Sequence, residues 1–184
     1  MAARQTLWQL HACALPVGTR TGGDGLCPIS AASEGARVPE THAQIALLSP
    51  LATRVWAQLL FGLRESGSFD LSCADGFIDQ SAPLIRDLRR LLLLGLWPTD
   101  TPPSRRAREC FALVRGIAVH AIVQHRHAVG RASAADPAGF QYDLVCSVAT
   151  VPASLLGRMI RRRLGACGGR PLGASLLSAL AVAL

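Results

Sequence analysis

The stretch SRRARECFALVRGIAVHAIVQHRH, residues 104–127, gathers groups that do chemistry: Cys110, His120, His125 and His127, entered through Arg105, Arg106 and Arg108. Neutral imidazole and thiolate are ordinary ligands of zinc and related metals. Two histidines that grip one ion from a single helix are expected four residues apart. Four residues beyond His120 stands Gln124, so the spacing predicts no metal site and no cofactor. Covalent catalysis needs a nucleophile, a base and an orienting group brought together. The chain has no G-x-S-x-G turn, and its Gly-rich GTRTGGDG lacks the Lys of a phosphate loop. Asp75 and Asp79, one helical turn apart, read as a solvated face. No enzyme is expected.

Cys13, Cys27, Cys73, Cys110, Cys146 and Cys167 are widely spread and form no C-x-x-C pair, which excludes a zinc ribbon or a dithiol redox motif. Cys110 and Cys146 fall inside apolar patterns, where a free thiol behaves as a small hydrophobe. A reducing cytoplasm is the simplest expectation. All 19 basic residues are Arg, and the chain contains neither Lys nor Asn, a bias that points to GC-rich codons. The net charge of +7 comes mainly from residues 49–164, where 15 Arg face nine acids. Such a balance attracts nucleic acid and acidic surfaces without reading sequence. Neither Arg105, Arg106 and Arg108 nor Arg158 with Arg161–Arg163 has aromatic residues interleaved, so a stacking platform for single strands is not indicated.

With no chemistry to position, the 104–127 stretch has another use. Ala107, Cys110, Phe111, Val114, Ile117, Ala118, Ala121 and Ile122 repeat at three and four and predict a helix built to be packed against, with His125 and His127 at its fraying end. Gly116 inside it costs about 1 kcal/mol relative to Ala and suggests close approach of a neighbour. Upstream, Ser49-Pro50 is a helix start, because Pro tolerates the first helical position. Leu51, Val55, Trp56, Leu59, Leu60 and Leu63 then form one apolar face. A second helix carries Leu84, Ile85, Leu88, Leu91, Leu92 and Leu96 on one face and Arg86, Asp87, Arg89 and Arg90 on the other. PTDTPP is a stiff connector with Thr101 as cap. Asp136-Pro137 opens a fourth helix bearing Phe140, Leu144, Val145 and Val148. Residues 1–43 show no clean period and read as an irregular N-terminal segment. Residues 44–164 form the helical domain, and 165–184 a linker and short apolar tail. The expected class is all-α, an antiparallel helical bundle. The tail's 14 uncharged residues are fewer than the roughly 20 needed to span a bilayer, and no transmembrane or export segment is expected.

LATRVWAQLLFGLRES followed by IRDLRRLLLLGLWPTDTPPSRRARECFALVRGIAVHAIVQ resembles the C-terminal regulatory domain of TetR-family transcriptional repressors. The resemblance covers about residues 44–150 and rests on Trp56, Leu88–Leu96, Asp100–Pro103, Ala107 and Gly116. It implies a homodimer and a small hydrophobic effector held between helices. Carried over, Trp56, Leu60, Leu88, Leu92 and Phe111 would wall the ligand pocket. The stretch 116–122, with Gly116, Ile117 and His120, would form the dimer face with Phe140, Leu144 and Val148. ISAASEGARVPETHAQ resembles a turn and recognition helix with Gly35 at the turn, but the aromatic pair and basic residues that follow in the family are missing. Specific DNA readout therefore has no vehicle, and the chain reads as a regulator or its surviving regulatory half. Two other classes fit the same helices: an interaction module without ligand, and a peripheral membrane protein using Arg161–Arg163 and the tail.

Overall fold

A computed structural model describes residues 2–12, 14, 15, 17, 25–30, 37–65, 71, 74–79, 86–97 and 104–135. Among these, helices account for 79% and no strand occurs, so the class is all-α. The helices are α1 (Ala2–His11), α2 (Pro50–Glu65), α3 (Asp75–Ile78), α4 (Arg86–Leu94) and α5 (Arg105–Ala135), with a π-helical turn at Gln44–Leu48 ahead of α2. The expected fourth helix from Asp136, with Phe140, Leu144 and Val148, lies outside the described residues. So do Thr101, Leu84, Ile85 and the Arg158–Arg163 cluster.

The junction at Ser49 follows directly from covalent structure. Thr41 Oγ1 accepts the Gln44 N–H at 3.0 Å and starts the helical run. Ser49 leaves it with extended backbone, φ −67° and ψ 150°, while its own N–H closes a five-residue loop to the Gln44 carbonyl at 2.9 Å. Its Oγ then accepts the Ala52 N–H at 3.2 Å and caps α2, with Pro50 in the first turn as the sequence predicts. Pro50 has no N–H to offer the Ala46 carbonyl four residues back. Trp56 supplies the missing donor: its Nε1–H reaches that carbonyl at 2.6 Å. The largest side chain of α2 thus fills the core and satisfies a backbone acceptor that Pro50 leaves unmatched.

Leu51, Val55, Trp56, Leu59, Leu60 and Leu63 of α2 are all buried, as are Leu88, Leu91 and Leu92 of α4. From α5, Phe111, Val114, Ile117, Ala118, Ala121 and Ile122 join the buried set. Each large side chain among these contributes about 1.5–3 kcal/mol relative to an exposed one. The polar face of α4 (Arg86, Asp87, Arg89, Arg90) is exposed, completing the amphipathic pattern. Two departures have clear causes. Leu96, placed by spacing on the α4 apolar face, is 52% exposed. The helix stops before it, because Gly95 takes φ +74° and its N–H bonds the Leu91 carbonyl at 2.8 Å, a left-handed C-terminal cap. And α5 does not fray at His125; it runs to Ala135, with His125 only 7% exposed and Val129 buried beyond it.

The N-terminal stretch without period contains α1. Thr6 and Leu10 point inward one turn apart, while Arg4, Gln5 and Trp8 are exposed. Its packing partner is α5, and Thr6 Oγ1 shares a 2.8 Å hydrogen bond with His120 Nδ1. Further along, Cys27 N–H bonds the Val38 carbonyl at 2.8 Å and Glu40 N–H the Gly25 carbonyl at 2.7 Å. This clip delivers Glu40, its carboxylate fully buried, to Arg126 of α5. Arg126 Nε donates to one carboxylate oxygen at 2.5 Å and Nη2 to the other, a two-pronged pair across 86 positions of sequence.

Candidate functional site

The residues expected to wall a pocket do come together, but as packed core. Trp56, Leu60, Leu88 and Leu92 are each 0% exposed, and Phe111 1%. Of the expected dimer face, Gly116 and Ile117 are buried and His120 is half-buried against Thr6 of α1. Burial pulls the pKa of His120 below the usual histidine value, and the N-terminal charge pushes it the same way. Among the described residues, no three His, Cys, Asp or Glu side chains gather into a metal-binding group. No described helix is long and apolar enough to cross a membrane.

Among the described residues, open space lies next to this core, where the end of α4 meets the first half of α5. A groove of about 340 Å³ is bordered by Leu94, Gly95 and Trp97 on one side and Arg105, Arg108, Glu109, Phe111, Ala112 and Arg115 on the other. Positions 105, 108, 112 and 115 recur at three and four, so one stripe of α5 faces it. The Trp97 and Phe111 rings pack with centroids 5.1 Å apart and planes tilted at 59°, forming an aromatic wall that reaches into the core. A second hollow, about 420 Å³, runs along α4 between Arg86, Arg89, Arg90, Leu93 and Leu94. Leu94, 54% exposed, borders both.

Arg115 is the unusual member. It is 6% exposed, yet its guanidinium has only one hydrogen bond among the described residues, from Nη1 to the Leu93 carbonyl at 2.7 Å. That carbonyl lies in the last turn of α4, where helical acceptors lack partners. His11 of α1 donates to it as well, through Nε2 at 2.7 Å. Arg115 Nε is buried with no partner among the described residues. Desolvation lowers the Arg115 pKa, yet an arginine stays charged at any physiological pH. Gly95 makes the arrangement fit: a Cβ there would lie 3.4 Å from the guanidinium carbon. Residue type alone gives little notice of this site. Arg115 interrupts the run between Val114 and Gly116, and a charge inside a buried stripe was the available signal; an all-Arg composition masks it.

No family model, curated protein or solved structure matches the chain.

Proposed function

We propose that this chain is a ligand-responsive helical regulatory domain of the kind TetR-family regulators carry, binding a small hydrophobic effector and acting as a homodimer in the cytoplasm. The observation that supports the reading is the groove between the end of α4 and the first half of α5, walled by Trp97 and Phe111. It is concave, partly apolar, of small-ligand size and continuous with the core through Phe111. A ligand seated there touches the end of α4 and the first half of α5 together, so its binding is felt by the helix that carries the expected dimer face. The unpaired, buried Cys27 fits a reducing compartment.

The test is thermal unfolding of the full chain against a panel of small neutral apolar compounds, with sedimentation to give the oligomeric state. A compound at a hundredfold its Kd stabilises the folded state by about 2.7 kcal/mol. That corresponds to roughly 5–10 °C for a chain of this size. A monomer whose melting point no compound moves would remove the proposal. Duplex DNA gives a separate reading, since attraction by charge alone falls steeply as salt rises. A helical interaction module without ligand is the second reading, favoured by Trp8 (65% exposed), Leu94 and Leu96 on the surface.

A further inference from the structure

We infer that the groove over Arg115 takes a small carboxylate with an apolar or aromatic body, its charged end toward Arg115 and Arg108 and its body along Trp97 and Phe111. This rests on the ligand-binding reading above and names the chemical class of the effector.

An arginine removed from water is tolerated when a carboxylate or several acceptors replace its hydration. The same molecule shows what that looks like: Arg126, similarly enclosed, has Glu40 on two of its nitrogens. Arg115 has no carboxylate within ion-pair reach among the described residues, one carbonyl on Nη1, nothing on Nε and no hydrogen bond from Nη2. The negative end of the α4 dipole, delivered through Leu93, offsets about half a charge at most. What is missing is an anion, and Arg115 lines a groove open to solvent.

The rim selects the same sign. Arg105 and Arg108 flank the groove, and the one acid beside them, Glu109, is held by Arg105 through a 2.9 Å ion pair. The walls select the rest of the molecule. Leu94, Trp97, Phe111 and Ala112 offer aliphatic and aromatic surface, so an inorganic anion or acetate leaves most of the groove unfilled. A carboxylate is favoured over a bulkier, more highly charged phosphate, because the enclosed charge is a single guanidinium and planar carboxylates match its fork.

Calorimetry on the full chain compares 4-phenylbutanoate with 4-phenylbutan-1-ol, two probes of the same body with and without the charge, and with acetate. The acid is expected to bind tighter than the alcohol by on the order of tenfold to a hundredfold, the range of one charge-assisted hydrogen-bonding partner. Acetate is expected to give no measurable binding. Arg115→Gln is expected to erase the preference for the acid. Arg108→Glu, on an exposed side chain whose change leaves the core intact, is expected to weaken the acid by roughly two- to fivefold and leave the alcohol unchanged. Equal binding of acid and alcohol, or a preference that survives both substitutions, overturns the carboxylate assignment while leaving a neutral-ligand regulator standing. Failure of 4-phenylbutanoate to bind at all also overturns it, and the neutral-compound panel then decides the broader reading separately.

Discussion

Arg126→Met removes the guanidinium that holds both oxygens of the Glu40 carboxylate. Glu40's side chain is fully buried and that of Arg126 is 11% exposed, so water cannot take over as it does for a surface pair. Breaking a buried pair from one side costs about 3–5 kcal/mol, most of it the penalty of an unmatched charge left in a dry site. With a urea dependence of about 2 kcal/mol per molar, the unfolding midpoint should fall by roughly 2 M. The melting temperature should fall by roughly 8–16 °C. Met keeps most of the aliphatic volume of Arg, so little of the loss comes from a void. The control is Glu40→Met with Arg126→Met, which removes both charges together. It should recover most of the stability, because an apolar pair of similar volume often replaces an ion pair at no net cost. Urea unfolding of the full chain, followed by far-ultraviolet circular dichroism, reads Arg126→Met, Glu40→Met and the double variant. A loss below about 1 kcal/mol for Arg126→Met, or a double variant as damaged as the sum of the singles, would refute the claim that the clip at residues 25–40 locks onto α5 through a dry ion pair.

Trp56→Phe should cost about 1–3 kcal/mol in the same urea assay, since it strands the Ala46 carbonyl that Pro50 already deprives of a donor. Gly95→Ala should cost roughly 1–2 kcal/mol, because φ +74° strains any side chain and the new Cβ presses on Arg115; unchanged stability would show that α4 ends otherwise. Thr6→Val should cost about 1 kcal/mol and speed amide exchange in α1, by removing its bond to His120. Acid should destabilise the fold. His125 and His127 are both held below the usual 6.5, mainly by burial, so the unfolded chain takes up protons first and unfolding is favoured as pH drops through that value. Melting temperatures measured from pH 8 to pH 5 should decline, with a shallower decline in His125→Gln; a flat profile would contradict the buried placement of these rings.

The sequence makes the helices themselves legible wherever apolar spacing is repeated for several turns. Ser49-Pro50, the α2 face from Leu51 to Leu63, and the α5 stripe from Phe111 to Ile122 all behave as their periodicity demands, because burying a stripe outweighs every local preference. The misses fall where the pattern is thin. Among the described side chains of α1, Thr6 and Leu10 are the buried ones, too few for a period. The end of α4 is set by one left-handed Gly95, which takes Leu96 off the apolar face. His125 looks like a terminal residue because Gly130 follows, yet Val129 still finds core contact and carries the helix onward. The candidate site is harder still. Trp56, Leu60, Leu88 and Leu92 are easily recognised as apolar, but spacing cannot tell a pocket wall from packed core. Trp97 and Arg115, 18 positions apart, border one groove because the end of α4 lies beside the first half of α5.

Amide hydrogen exchange of the full chain, with and without saturating 4-phenylbutanoate, tests the groove most directly. Slower exchange confined to residues 93–97 and 108–115 is the predicted result. Exchange unchanged in both segments, or slowed only elsewhere in the chain, would contradict the assignment of ligand binding to this groove.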